Sequence, residues 1–258
     1  KKVRRITDGS TWYSTSGGFD YAWSPDSKWF TLEFIGNKHD PYSDIGLVSA
    51  QGNGEIINLT NSGYSSGSPS FALDGNAILF TTERYGMRAH ASWGSLDDAM
   101  LVFLNQDAYD KFSLSKEDYE LYKEANSDRK KVAAKDSSKV KDVVVELKNI
   151  EDRIVRLTPN SSNMGSTLIS KDGKALYYLA STESGRNLWK MDLNKKETKL
   201  LHKVDAGWTS LEMDKEGKTL FILNGKNMQK MNLASDDLKP IKYLAQVKLD
   251  LSAEREYM

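Results

Sequence analysis

The chain has 258 residues, and its 36 Lys and Arg balance 36 Asp and Glu, so it carries no formal net charge. That balance argues against a dedicated nucleic-acid binder, which shows a strongly basic domain, and against a polybasic membrane-surface protein. Cysteine is absent, which excludes a disulfide scaffold, a thiolate metal site and a Cys nucleophile, and no apolar run approaches the roughly 18 residues of a membrane-spanning helix.

The chain opens on Lys1-Lys2 rather than Met. No secretory leader is read there, and an upstream leader or region is expected to have been removed. Residues 1–9 read as the last strand of a unit that precedes the first complete one. The first complete unit begins with Tyr21-Ala-Trp-Ser-Pro-Asp26-Ser-Lys-Trp-Phe, a short strand, an Asp-Ser turn and an apolar strand. The pattern returns as Ser70-Phe-Ala-Leu-Asp74-Gly-Asn-Ala-Ile-Leu, Leu168-Ile-Ser-Lys-Asp172-Gly-Lys-Ala-Leu-Tyr and Glu212-Met-Asp-Lys-Glu216-Gly-Lys-Thr-Leu-Phe. An acidic-Gly pair between apolar runs is among the strongest short-range hairpin signals. Asp26, Asp74, Asp172 and Glu216 stand 48, 98 and 44 residues apart, so the second interval holds about two repeats.

Each unit adds a third strand, such as Asp44–Ser49 or Asn187–Asp192. It closes on a common ending: Ile56-Ile-Asn-Leu-Thr60, Arg153-Ile-Val-Arg-Leu-Thr158 or Thr198-Lys-Leu-Leu201. Four strands in a unit of about 45 residues are a β-propeller blade. The fold class is therefore all-β, a propeller region over 1–251 with complete blades at about 19–60, 66–158, 163–202 and 206–244. Residues 245–251 read as a further first strand. Four blades with two separate edge pieces read as part of a larger propeller, or as a small one closed by pairing its ends.

The second unit is about 50 residues too long. An insertion over about 106–142 carries a helix at 115–125, with Ser115 and Asp118 in capping-box spacing. The polar, Lys-rich stretch 126–141 reads as a solvated loop, and Val143–Leu147 resumes strand character. The bland reading is a tolerated surface insertion; the sharper one is a lid or docking arm. Trp23, Trp29, Trp189 and Trp208 are assigned to packing between blades.

Chemistry is sparse. Gly63-Tyr-Ser65-Ser-Gly67 matches the nucleophile-elbow pattern, but a strand rather than a helix follows, so it reads as a turn between blades. His39, His90 and His202 are too far apart for a zinc-helix motif. No phosphate loop, dinucleotide fingerprint or calcium loop is present, and neither cofactor nor metal is expected. The most unusual loop, Met87-Arg-Ala-His-Ala-Ser-Trp-Gly-Ser95, is long for a hairpin. It supplies the candidate binding residues Arg88, His90 and Trp93: Arg88 for a peptide carboxylate and Trp93 for an apolar contact. No catalytic residue is assigned.

Ala22-Trp-Ser-Pro-Asp-Ser-Lys-Trp29 and the Ile-x-Asn-Leu-Thr ending resemble the WD-like repeats of TolB and of tricorn-type proteases. Glu83 to Ser95, followed by Leu101–Phe112 and Leu114-Ser-Lys-Glu, resembles tricorn protease homologues of Bacteroidetes-type bacteria. The resemblance implies a non-catalytic propeller of a large serine peptidase, admitting or guiding unfolded peptides or protein substrates. A helical segment would begin at 252–258, and the catalytic residues would lie in downstream PDZ-like and protease domains of the parent chain. It implies a periplasmic or secreted location ahead of a cytoplasmic one, no nucleic-acid or membrane partner, and is compatible with a homo-oligomer. The rival reading is a TolB-like propeller that serves as a protein–protein interaction module.

Overall fold

The computed structural model describes residues 3–7, 20–36, 41–52, 54–88, 94–126, 140–181, 185–206, 209–225 and 227–243. They form four antiparallel sheets of four strands, each meandering in chain order. Blade 1 holds β1 (Tyr21–Trp23), β2 (Trp29–Phe34), β3 (Asp44–Ser49) and β4 (Ile57–Asn58). Blade 2 holds β5 (Ser66–Ala72), β6 (Ala77–Thr82), β7 (Asp98–Phe103) and β8 (Ile154–Arg156). Blade 3 holds β9 (Asn163–Ile169), β10 (Ala175–Ser181), β11 (Arg186–Asp192) and β12 (Glu197–Ala206), and blade 4 holds β13 (Thr209–Met213), β14 (Thr219–Asn224), β15 (Asn227–Asn232) and β16 (Asp237–Pro240). The architecture is a β-propeller.

The blades stack face to face because their central strands are apolar on both sides. In β6, Ile78 and Phe80 pack with Ile45 and Leu47 of blade 1, while Ala77 and Leu79 pack with Leu176 and Tyr178 of blade 3. In β10, Tyr177 and Leu179 turn to Leu220, Ile222 and Met231 of blade 4. A strand buried on both faces reads as an apolar run rather than as an alternation. The tryptophans follow this scheme only in part: Trp29 and Trp189 pack against the inter-blade clusters, whereas Trp23 is 50% exposed, its ring tilted against Phe30 with centroids 5.5 Å apart.

The acidic turns are built as their composition demands, with two departures. In blade 1 the Ser24 hydroxyl donates to Asp26 Oδ1 at 2.5 Å and accepts from Trp29 N at 2.9 Å. Ser170 and Asp172 repeat this in blade 3 at 2.6 Å, with Ala175 N at 2.9 Å. In blade 4 the corresponding acceptor is Asp214 rather than Glu216: its Oδ1 receives Lys218 N at 2.6 Å and Thr219 N at 3.0 Å. Asp214 stands where blades 1 and 3 have serine, two residues before the expected acid. Blade 2 has Ala72 at that position and no hydroxyl to bridge the turn, so the chain closes as a 3-10 turn over Leu73–Gly75 with Asp74 at φ 56°.

A second device, shared by blades 1 and 2, anchors the blade ending. Asp44, at the head of β3, accepts from Asn58 Nδ2 at 2.9 Å, Thr60 Oγ1 at 2.7 Å and Ser62 N at 3.0 Å. Asp98, at the head of β7 and fully buried, accepts from Arg156 Nε and Nη2 at 3.0 and 2.9 Å, Thr158 Oγ1 at 2.8 Å and Ser161 Oγ at 2.7 Å. The Leu-Thr ending is thus the outer strand's tie to its own third strand.

The insertion departs from its sequence reading. Two helices form, α1 (Gln106–Ser113) and α2 (Lys116–Ala125), so the expected helix has a companion that the residue pattern did not show. Asn105 caps α1 by accepting Ala108 N at 2.9 Å, and α1 sets Tyr109 and Phe112 on Phe103 at 5.8 and 5.0 Å. Ser115 caps α2 by accepting Asp118 N at 3.1 Å, and no residue of α2 is buried. Val143–Leu147 forms no strand. It is held by Glu146 N to Leu104 O at 2.7 Å and Val143 N to Asp26 Oδ2 at 2.8 Å, because its apolar side chains Val143 and Val145 cover the edge of the blade 1–2 core.

Residues 3–7 lie along blade 1, where Thr7 makes a parallel bridge to Gly54 and Ile6 packs on the free-face cluster of Phe30, Leu32, Phe34 and Val48. The expected further strand at 245–251, the helical start at 252–258 and all but the edges of the loop at 126–141 lie outside the described residues.

Candidate functional site

Meandering blades put their connections at two ends. The acidic turns and the insertion lie at one; the β2–β3, β6–β7, β10–β11 and β14–β15 hairpins and the crossings between blades lie at the other. The second end carries Arg88. The β6–β7 hairpin runs on past its strands: Leu96 N donates to Met87 O at 3.2 Å, Ser95 Oγ to Met87 O at 3.2 Å, and Arg88 bridges Ser95. Gly86 makes this crossing feasible, since a Cβ there would lie 1.7 Å from Leu96 O.

Arg88 is exposed, and its guanidinium stands 5.9 Å from the Tyr42 ring and 5.5 Å from the Tyr64 ring. The two tyrosines are set side by side by their neighbours: Ser66 N donates to Ser43 O at 2.8 Å and Ser43 Oγ to Ser66 O at 2.9 Å. Each cation–π contact at an exposed site is worth about 0.5–1 kcal/mol. The two rings attract the guanidinium to this position, and its forked N–H donors are of the kind that recognise a carboxylate bidentately. Among the described residues Arg88 has no carboxylate partner. His90 and Trp93, the other two candidates, lie outside the described residues, as do His39 and Trp208. Tyr42 and Tyr64 were missed by sequence reasoning; nothing in their spacing ties them to Arg88.

Carboxyl groups lie at the same end of the blades. Thr82 pairs with Asp98, so continuation of the register sets Glu83 opposite Asp97 on one face. Asp97 exchanges backbone hydrogen bonds with Ser162 at 2.8 and 3.0 Å, at the crossing into blade 3. Burial, and then the charges of Glu83 and Asp98, push the Asp97 carboxyl up to about 6. Glu33 reaches from β2 to the bulge in β5, where Gly67 leaves room for it; a Cβ at Gly67 would lie 2.6 Å from Glu33 Oε2. Burial raises the Glu33 carboxyl, and Asp20 adds to the rise, against hydrogen bonds from Ser43 and the Ser68 N–H.

The shift at Asp97 carries a pH dependence whose sign is fixed. The unfolded carboxyl titrates near 3.8 and the folded one near 6. Between those values the folded state holds the proton and the unfolded state has lost it, so stability falls as pH rises through the window. Asp97→Asn removes that fall. Melting curves are expected to show the variant more stable than wild type by about 1–3 kcal/mol at pH 8 and no such gain at pH 4. An equal difference at both pH values would show that the Asp97 charge is not the cause.

The site contains no nucleophile–base pair among the described residues. The Ser65 carbonyl accepts Glu83 N at 3.0 Å and Thr82 Oγ1 at 3.2 Å, and β5 begins at the next residue, so no elbow forms. His202 lies on β12, with Nε2 2.7 Å from Asp236 O. Among the described residues no group of three or more His, Cys, Asp or Glu could hold a metal ion.

No family model matches the chain, and no curated protein matches it in sequence. Solved structures do match in fold. TolB from Acinetobacter baumannii is 15% identical over 87% of this chain and 43% of its own, with a TM-score of 0.53. The tricorn protease is 11% identical over 86% of this chain and 22% of its own, with a TM-score of 0.56. A puromycin-hydrolyzing peptidase of Mycobacterium tuberculosis is 11% identical over 90% and 30%, with a TM-score of 0.53. The chain therefore spans less than half the length of each of these three. Four meandering blades with these neighbours make the fold a β-propeller of the TolB and tricorn type.

Proposed function

We propose that this chain is a non-catalytic propeller that holds extended peptide segments at the Arg88 end of the blades and guides them to the catalytic domains of a tricorn-like serine protease. The observation that carries the proposal is the exposed guanidinium of Arg88, within 6 Å of the Tyr42 and Tyr64 rings and with its donors unused by any described carboxylate. Such an arrangement suits a peptide carboxylate, from a chain terminus or an acidic side chain, with the tyrosine faces beside it for apolar residues. The likeness to the tricorn protease and to the puromycin-hydrolyzing peptidase, of whose chains the matched propeller covers 22% and 30%, supports a role as one part of a peptidase.

Calorimetric titration of unfolded peptides into wild type and Arg88→Ala tests this. Because Arg88 is exposed, the variant is expected to melt within about 0.5 kcal/mol of wild type while binding peptides about tenfold more weakly, the loss of one charge-assisted contact. Equal affinity in both proteins would remove Arg88 from the site. A second reading, a TolB-like module for a folded protein partner, is favoured by the match to a putative TolB of Agrobacterium tumefaciens, 12% identical over 86% of this chain and 63% of its own with a TM-score of 0.53. It is distinguished by failure of short unfolded peptides to bind.

A further inference from the structure

Between blades 3 and 4, at the same end as Arg88, a cavity of about 210 Å³ opens beside the β14–β15 hairpin. Asn224 pairs with Asn227 across the hairpin, and Gln229 follows two residues on. Alternation along a strand therefore sets all three carboxamides on one face of the sheet. Ile222, Gln229's partner on β14, belongs to the core shared with blade 3, so this is the face turned toward blade 3, and Val204 of blade 3 forms the facing wall. Pro240 and the half-exposed ring of Tyr243 complete the rim. Among the described residues none that lines the cavity is charged, and the three carboxamides make no side-chain hydrogen bond to described residues.

We infer that this cavity is a binding site for one neutral sugar ring. The volume is below the roughly 300–1,000 Å³ of pockets for drug-sized ligands, which restricts the occupant to a small unit. Each carboxamide presents an acceptor and two donors, and a hydroxyl is itself donor and acceptor, so neighbouring hydroxyls of a pyranose match the three groups. The described lining offers no cation to pair with a uronic acid or a sugar phosphate, whereas its carboxamides suit neutral hydroxyls. The site is separate from the peptide site proposed at Arg88 and does not depend on it.

The test is titration of the isotope-labelled chain with glucose, galactose and N-acetylglucosamine, followed through the side-chain amide resonances of Asn224, Asn227 and Gln229. Glucuronate and a capped glycine amide serve as the charged and peptide-like comparisons. At least one neutral sugar is expected to shift these resonances saturably, with a dissociation constant on the order of millimolar, and glucuronate to bind about tenfold more weakly. Asn227→Ala and Gln229→Ala are each expected to weaken binding about three- to tenfold, one lost hydrogen-bonding group apiece. Asn227 is exposed at the hairpin tip, so its variant remains informative if the Gln229 variant folds poorly. Absence of a saturable shift with all three sugars, binding of the capped amide in their place, or wild-type affinity in Asn227→Ala would each overturn the assignment.

Discussion

Replacing Arg153 by Met is expected to destabilise the protein by about 3–5 kcal/mol. Arg153 is only 2% exposed. Its Nε donates to Phe103 O at 3.1 Å, Nη1 to Lys148 O at 2.9 Å and to Asn149 O at 3.4 Å, and Nη2 to Glu146 O. One side chain thus ties the end of β7 to the segment returning from the insertion. Methionine fills much of the volume but donates nothing, leaving these carbonyls without that donor. At about 2–4 °C per kcal/mol for a chain of this size, the melting temperature should fall by roughly 10 °C. Lys28→Ala is the control. Its ion pair with Asp142 is 2.6 Å long, but the two side chains are 51% and 72% exposed, and such pairs contribute about 0–1 kcal/mol. Similar losses in the two variants would show that Arg153 is not the tie.

The second large effect is expected at Asp98. Its carboxylate satisfies Arg156, Thr158 and Ser161 together while fully buried. Asp98→Ala should cost about 3–5 kcal/mol, because an arginine and two hydroxyls lose their acceptor at once. Asp44→Ala removes the same device from blade 1, but there all the donors are neutral, and about 1–3 kcal/mol is expected. Urea unfolding of the two variants should therefore rank Asp98 above Asp44; the reverse order would contradict the argument from charge. Asp98 is also next in chain to Asp97 and pairs with Thr82, so its loss should loosen the root of the hairpin that carries Arg88.

The legibility of the sequence followed range. The hairpins were readable because an acidic turn and the apolar runs on either side are local. The doubly buried β6 and β10 stood out as runs because both faces are covered. Local reading failed where one residue can stand in for another: Asp214 takes the part of Ser24 and Ser170, so the acid assigned at Glu216 was two positions late. Helix α1 was hidden because Asn105 caps it directly after β7, and it shows only Ala108, Tyr109 and Phe112 as apolar anchors. At the candidate site Arg88 was visible from the length and chemistry of its loop. Its partners Tyr42 and Tyr64 stand on other loops, brought beside it by the stacking of blades 1 and 2, and the Glu83–Asp97 pair follows from a hairpin register that a long loop does not reveal.

The most direct test of the peptide-holding reading is backbone hydrogen–deuterium exchange of the chain, alone and with saturating unfolded peptide. The amides of Ser66, Glu83 and Leu96 donate within the Arg88 end of the blades and report on it without mutation. Added peptide should slow exchange in the segments around 42–44, 62–67 and 83–88, and leave α1 and α2 unchanged. Slowed exchange confined to 106–125, or none anywhere, would contradict the account.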